Sequence, residues 1–546
     1  MQIQNAIRIA AIGFSGKQRI LLNLKQNRHG PTNYPMKLNS FYKVWMIGFL
    51  TALILLCYSY LYSRIDFLQE NFKDPPFSRQ IWNFDTSFSS SAKYFMSEAD
   101  RIYLLNEIVD SDDYVSTKND TISSMPLSIS SEIQLSEKIQ EQEDRIKLNS
   151  FRDSTVHYSE KPRLGQFFKK LEQAESTQVR IGYWGDSMIE GDLITSHLRH
   201  ILQTRYGGSG VGWVPITSIV NHFRITVFHE FSAGWLYHSV KDTDAIHFPL
   251  GISGEVFAVD TNCGESPSIT YRTSSKFPGV NQFSRGFLYY GSTGRILEGM
   301  NSSSQEDSSN WIEVKSSGIF RKIYMSSHYA VNRIPLFDQP VNKVELVFHV
   351  LPVSPVFGVS FESETGVLID NFALRGISGT LLRKIKPDII QGFQTLMDYD
   401  LIVLHFGTNV LDEQIKNYSW YRRGMTRVIR HFQKSFPNTP ILIVGVADKA
   451  IKVENEMRTI PELWNLVKAQ REAAMLTHSA FLDLFSAMGG EGSMVDWVEK
   501  KEWANKDYTH FNHRGSRRIA SILADFLTDS TDDYKPMSSN GIYHKH

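Results

Sequence analysis

Cysteine is nearly absent. Only Cys57 and Cys263 occur in 546 residues, and Cys57 falls within a long apolar run. No internal disulfide is therefore expected. A domain of this size needs no such staple, so its absence does not argue against an oxidising compartment. An excess of charge of one sign is missing too: 58 basic and 58 acidic residues balance to a net charge of zero. No basic stripe exists outside the N-terminal segment, so nucleic acid is not an expected partner. There is no His-Glu-x-x-His, no Cys-x-x-Cys and no Walker-type loop. No metal or other cofactor is expected on that ground. The run Gly207-Gly208-Ser209-Gly210-Val211-Gly212 follows a helix-like segment rather than opening one. It reads as a flexible turn.

What is present begins with the N-terminus. Residues 44–62 are uncharged and apolar, long enough to cross a bilayer core as a helix. Seven basic and no acidic residues precede them, among them Arg28, Lys37 and Lys43, while Arg64, Asp66 and Glu70 follow. The positive-inside rule puts residues 1–43 in the cytoplasm and the rest outside. The bulky Tyr58-Ser59-Tyr60-Leu61-Tyr62 lacks a small-x-small cleavage site, so the segment reads as an uncleaved single-pass anchor. Leu56 before Cys57 does not fit a lipoprotein signal. Met36-Lys37, just before the apolar run, is an alternative start. Residues 65–160 read as a polar, partly disordered spacer, serine-rich over 116–136 and charged over 137–144. Helix is expected there over 97–109. Residues 531–546 read as a tail.

Three motifs carry the chemistry. Val179-Arg180-Ile181-Gly182-Tyr183-Trp184 is strand-like, and Gly185-Asp186-Ser187 follows it. Residues 192–205 then show helical spacing. Ser187 is thus placed at a strand's C-terminal end, where open α/β sheets bind ligands, on the turn into a helix whose N–H groups favour an oxyanion. Capping of that helix by Asp186 and Ser187 is the plainer alternative. Leu401-Ile402-Val403-Leu404-His405-Phe406 reads as a buried parallel strand. Gly407-Thr408-Asn409 comes just past it, so the Asn409 amide can face the same crevice. Asp507 and His510 are spaced so that the carboxylate can orient one ring nitrogen while the other faces Ser187. The chain has 17 histidines; His405 and His513 read as incidental. A serine, an amide donor and an acid–histidine pair are the parts needed to cut or transfer an ester acyl group.

Gly-Asp-Ser, Gly-Thr-Asn and Asp-x-x-His, in this order, resemble the first, third and last blocks of the SGNH/GDSL hydrolase superfamily. Arg375-Gly376-Ile377-Ser378-Gly379-Thr380 resembles the second, with Gly379 the better match and Gly376 the reserve. The resemblance implies a three-layer α/β/α domain with a parallel sheet. It implies Ser187 as nucleophile, His510 as base and Asp507 as its orienting acid. The backbone N–H groups of Ser187 and Gly379 and the Asn409 side chain would form the oxyanion hole. Met188 stands where the family usually has leucine, which keeps an apolar contact.

Gly379 lies far from Ser187 in sequence, whereas Asn409 follows Gly379 closely. Short strands with Gly, Asn and Ser breaks fill the gap, such as Ser268-Ile269-Thr270-Tyr271 and Gly286-Phe287-Leu288-Tyr289-Tyr290. They suggest an inserted β-sandwich, jelly-roll-like and carbohydrate-binding-like. The expected domains are therefore 161–215 and 356–530 for the SGNH part and 216–355 for the insert. Trp213, Phe223, Trp235, Tyr237, Phe257, Tyr289, Tyr290 and Trp311 could stack on sugars, although packing is the commoner fate of each. Within the SGNH part, helices are expected over 164–174, 418–436, 462–478 and 516–527 and strands over 441–446 and 481–484. Arg422, Arg423, Arg427 and Arg430 read as a solvated helix face. Residues 489–493 read as the start of a loop toward Asp507.

This layout resembles bacterial peptidoglycan O-acetylesterases. The leading expectation is a serine esterase, anchored in the bacterial inner membrane with its catalytic domain periplasmic. It would remove O-acetyl groups from an extracytoplasmic polysaccharide, with peptidoglycan a candidate. An O-acetyltransferase working beside a membrane acyltransferase uses the same residues. A non-catalytic glycan-binding protein is the third reading, and a lipase ranks lower.

Overall fold

The computed structural model describes residue 142 and residues 162–529, save 244–247, 293–309, 326–327 and 351–353. The expected cytoplasmic segment, membrane span and tail lie outside the described residues, as does the spacer apart from residue 142. Among the described residues no helix is long and apolar enough to cross a membrane.

Runs of branched and aromatic residues form a five-stranded sheet: β1 (Gln178–Gly185), β2 (Gly366–Ala373), β3 (Tyr399–His405), β4 (Ile441–Val444) and β5 (Ala480–Leu482). Its order is β2-β1-β3-β4-β5, with every pairing parallel. The strands are apolar nearly throughout because both faces are covered. Trp184, Ile402, Leu404, Ile441 and Ile443 enter one core. Their neighbours Ile181, Tyr183, Leu401, Val403, Leu442 and Val444 enter the other.

The helices supply the outer layers. They are α1 (Gly165–Leu171), α2 (Leu193–Tyr206), α3 (Pro387–Met397), α4 (Ser419–Ser435), α5 (Leu463–Leu476), α6 (Leu484–Met488), α7 (Ser493–Glu499) and α8 (His513–Thr528). The first core holds the apolar stripes of α3, α4 and α5. The second holds those of α1, α2, α7 and α8. In α4 the stripe is Tyr421, Met425, Val428, Ile429 and Phe432, all buried, which is helical periodicity. The helix ends follow cap chemistry. The strand over 481–484 stops at Leu482 because the Asp483 side chain accepts from Ser486 N–H and starts α6. Helix α8 begins at His513, earlier than expected, because the Asn512 side chain accepts from Arg514 and Gly515 N–H. The expected solvated arginine face of α4 is corrected at Arg422. Arg422 lies 3.0 Å from Glu472 of α5, because α4 and α5 pack side by side.

Between α2 and β2 the chain forms two antiparallel sheets, of six and five strands. Ile269, Tyr271, Val344 and Leu346 of one sheet share a core with Leu288, Tyr290, Val359 and Phe361 of the other. The two sheets therefore face each other as a sandwich. Their seam with the parallel sheet is polar. Asp370 of β2 accepts from Arg180 of β1 (3.1 Å), Tyr399 of β3 (2.9 Å) and the Trp213 N–H (2.9 Å). Arg180 also pairs with Glu362 at the end of the last sandwich strand. The glycine-rich run is not a flexible turn. A Cβ on Gly208 would lie 2.7 Å from the Val367 backbone, and one on Gly210 would lie 2.4 Å from Phe361 O. Both have positive φ. They are glycines because the backbone runs directly against the strands on either side of the seam.

The aromatics singled out above separate by burial. Trp213, Phe257, Tyr289 and Tyr290 are core residues. Trp311 is stacked on His349 at 3.8 Å and has the Lys322 ammonium 3.9 Å from its ring centre. Trp235 is half-buried, while Phe223 and Tyr237 are exposed.

Candidate active site

The strand order reverses at β1: the next strand in the sheet, β2, lies on one side of it and β3 on the other. A crevice opens at such a switch point, past the carboxyl ends of the strands. Ser187 follows β1 and Asn409 follows β3, so the sheet topology delivers both to the same crevice.

Gly185 ends β1 where a Cβ would come within 3.0 Å of His405 O. Asp186 then turns the chain, its Oδ1 accepting from Met188 N–H at 3.0 Å. The helix expected over 192–205 begins within one residue of its predicted start, and a separate turn fills the gap from Ser187. Ser187–Asp192 is a short 3-10 turn kinked at Glu190 and Gly191, and α2 starts only at Leu193. Asp192 adopts φ 66° at the break. Its carboxylate is held by Arg199 (2.8 Å) and Thr195 (2.5 Å). The N–H groups next to Ser187 are therefore those of the 3-10 turn.

Past β5 the chain returns through the turn Asp507-Tyr508-Thr509-His510. Asp507 Oδ1 accepts from the N–H groups of Thr509 and His510, both at 3.0 Å. Tyr508 sits at φ 53° to close this loop. Asp507 Oδ2 is 2.8 Å from His510 Nδ1, and His510 Nε2 is 2.9 Å from Ser187 Oγ. Serine, histidine and aspartate thus form one hydrogen-bonded relay. Burial pushes the Asp507 carboxyl up, but His510 and the two N–H donors outweigh it and hold the group below its usual range. Asp507 is charged at neutral pH, which favours the Nδ1–H tautomer and leaves Nε2 free to take the Ser187 proton.

Asn409 joins the other blocks. Its Nδ2 donates to Ile377 O at 3.1 Å and to Asp186 Oδ2 at 3.2 Å. Gly379 has φ 94°, and a Cβ there would strike the Phe406 ring at 2.8 Å. Gly376 also has positive φ, but faces open space. Packing therefore demands glycine at 379, beside the strand end that carries Asn409, and not at 376. His405 and His513 stand apart from the relay. His405 is buried with Nδ1 3.0 Å from Tyr183 Oη, and burial pushes it down to about 4. His513 is exposed at the start of α8.

Sequence reasoning missed Glu190 and Lys449 and the second role of Asp186. Asp186 reads as a cap, yet it also fixes Asn409. Burial pushes the Glu190 carboxyl up against the pull of Arg375, His510 and Lys241. Burial pushes the Lys449 ammonium down against Asp412, Asp507 and Asp186. The N–H of Ala450, the residue after Lys449, donates to Tyr508 O at 3.0 Å. A lone charged residue between elements carries no periodic signal. The hairpin Ala450–Val453/Glu456–Thr459 and helix α7, which stand between β4 and the catalytic turn, were unread for a related reason: they are too short to show a period.

Asp186 yields a pH prediction. It is fully buried, and burial, partly offset by the Met188 N–H, His510 and the Thr408 N–H, raises its carboxyl to about 6. The folded protein thus keeps a proton that the unfolded chain releases near 3.8. Stability from this group is present at low pH and is lost as pH rises from about 4 to about 6. The loss is on the order of 3 kcal/mol. Asp186→Asn should remove this slope. Denaturant unfolding at pH 4 and pH 7 should show wild type losing ground to the variant at the higher pH.

No family model and no curated protein matches the sequence. Solved structures do resemble it. One is a peptidoglycan O-acetylesterase, 22% identical, with a TM-score of 0.51 over 67% of this chain and 95% of that one. Another is a family two carbohydrate esterase from Cellvibrio japonicus, 11% identical, with a TM-score of 0.22 over 55% of this chain and 99% of that one. A third is a putative GDSL-like lipase from Parabacteroides merdae, 18% identical, with a TM-score of 0.25 over 30% of this chain and 74% of that one. The last two likenesses are too slight to carry argument. A doubly wound parallel sheet with a serine–histidine–aspartate relay at its switch point defines a serine-hydrolase architecture. The chain shares its fold with that peptidoglycan O-acetylesterase.

Proposed function

We propose that this protein is a membrane-anchored serine esterase that removes O-acetyl groups from an extracytoplasmic polysaccharide, with peptidoglycan the favoured polymer. The relay from Asp507 through His510 to Ser187 carries the reading. The fold shared with a peptidoglycan O-acetylesterase supports the choice of polymer, and the apolar residues 44–62 support the anchor and the periplasmic side.

The mechanism uses residues already placed. Ser187 Oγ attacks the acetyl carbonyl while His510 Nε2 takes its proton, and Asp507 stabilises the imidazolium. The carbonyl oxygen becomes an oxyanion facing the N–H groups of Ser187 and Gly379 and the Asn409 amide. One Asn409 N–H turns from its resting acceptor toward that oxygen, so Asp186 and Ile377 O act as the rest position of the donor. The C–O bond to the sugar breaks, and the sugar oxygen takes the proton from His510. Water, deprotonated in turn by His510, attacks the acyl-Ser187 ester and releases acetate and the serine hydroxyl.

Asn409→Ala should lower kcat by about 10²–10³-fold with a much smaller change in KM, because the donor acts on charge that develops in the transition state. Steady-state kinetics on a soluble acetyl ester reads this directly. The function itself is tested by acetate release from O-acetylated peptidoglycan by the full-length protein, with Ser187→Ala as control. Release that depends on Ser187 supports it. Transfer of the acetyl group to an added glycan, with no free acetate, would replace it with the O-acetyltransferase reading and a membrane acyltransferase as the donor-side partner. Neither product would overturn both.

A further inference from the structure

Of the eight aromatics that the sequence marks as candidate sugar platforms, one abuts the catalytic segments. Phe223 lies on the loop that leads from the strand Gly212–Val214 to the strand Val227–Phe231. Its ring covers Gly191 so closely that a Cβ there would lie 2.5 Å from Cδ1. It also lies over the His513 ring, with centroids 6.1 Å apart and planes at 26°. Gly191 is on the turn that begins with Ser187, and His513 starts the helix just beyond His510. Phe223 therefore bridges the two segments that carry nucleophile and base. Yet 50% of its surface remains exposed.

The loop is pinned rather than loose. Asp192, on the nucleophile segment, accepts from Thr226 Oγ1 at 2.8 Å and from Arg224 at 3.5 Å, in addition to Arg199. Asp192, Arg199, Arg224 and Thr226 are all buried or nearly so. Arg224 also donates to Trp213 O at 3.3 Å, and Asn221 donates to His229 O at 2.9 Å. A buried ion cluster of this kind is expensive to rearrange once formed. It holds an apolar ring against Gly191 and His513, on the segments that carry the nucleophile and the base, with half of its surface open to solvent.

We infer that Phe223 is a specificity-determining platform on which the C–H face of a sugar ring of the acylated glycan stacks while its ester enters the Ser187 crevice. This rests on the polysaccharide reading above. A phenyl ring has no hydrogen-bonding group, so it suits the apolar face of a pyranose and leaves ester recognition to the crevice.

The test compares kcat/KM for O-acetylated peptidoglycan with kcat/KM for 4-nitrophenyl acetate, using full-length wild type, Phe223→Leu, Phe223→Ala and Phe223→Trp. Leucine keeps an apolar contact with Gly191 but offers no flat face. In the leucine and alanine variants the glycan-to-small-ester ratio should fall about tenfold, mainly through KM on the glycan, and tryptophan should restore it to within about threefold. An unchanged ratio overturns the platform, whether both activities fall together or neither does. So does a larger loss on a long-chain acyl ester than on the glycan, because the ring would then be serving an acyl chain. If wild type cleaves the small ester through Ser187 but releases nothing from any O-acetylated glycan, the polysaccharide reading fails and the platform with it. That result differs from failure of the platform alone, in which wild type still deacetylates glycan.

Discussion

Ser187→Ala should reduce kcat for acetate release about a millionfold, to the level that binding and the oxyanion donors alone support. The size of the effect follows from the geometry. Ser187 Oγ is the hydroxyl that stands 2.9 Å from His510 Nε2. Removing it leaves the base with no hydroxyl of the protein to deprotonate. The fold should not suffer, because Ser187 is only half-buried and opens a short 3-10 turn whose cap is Asp186. Thermal melting should stay close to wild type. Two readouts separate chemistry from binding. Intact-mass measurement after mixing with an acetyl ester should show an acetylated form of the wild type and none of the variant. Pull-down on insoluble glycan should be retained. A variant that still released acetate at more than about a thousandth of the wild-type rate would remove Ser187 from the mechanism, since a lost nucleophile costs far more than that.

Asp507→Asn should cost about 10⁴-fold in kcat while leaving the backbone of the turn in place. Here the structure makes a sharper argument than the motif can. Oδ1 of Asp507 accepts two backbone N–H groups at 3.0 Å, from Thr509 and His510. In the variant, the amide oxygen must stay at that position, or two donors lose their acceptor. The amide NH₂ then faces His510 Nδ1, which can only accept from it. The imidazole proton is driven to Nε2, where it points at Ser187 and blocks its deprotonation. Kinetics should show the loss in kcat at every pH, with no recovery in alkali. A loss below about tenfold would mean that a Ser187–His510 dyad suffices. Because Asp507 is held below the usual carboxylate range, its own contribution to stability is present at neutral pH. It is lost as pH falls through that lowered value. Asp186 behaves in the opposite sense, so the two acids of the site respond to acid with opposite signs.

Much of the parallel sheet was legible because its signals are local. The apolar runs of β1, β3 and β4 and the stripes of α4 and α5 announce themselves through periodicity, and the ends adjust by a few residues through caps such as Asp483 and Asn512. The hairpin Ala450–Val453/Glu456–Thr459 and α7 were not legible, because elements this short owe their form to what they pack against. The glycine-rich run shows the same limit. Its composition is that of a flexible turn, whereas its conformation is imposed by the backbones of residues 361 and 367 pressing against it.

The amino-acid sequence by itself determined which residues could do acyl chemistry and at which element ends they fall, because strand, turn and Asx-type loop formation depend on neighbours in the chain. Tertiary structure alone decided three further matters. Strand order β2-β1-β3 brought Ser187 and Asn409 to one crevice. Asp186 and Ile377 became the partners of the Asn409 amide. Phe223, and not the buried Trp213 or Tyr289, was left exposed beside the site. Each of these depends on contacts between residues distant in the chain, and such contacts are set by burial and hydrogen-bond satisfaction across the whole fold rather than by any local pattern.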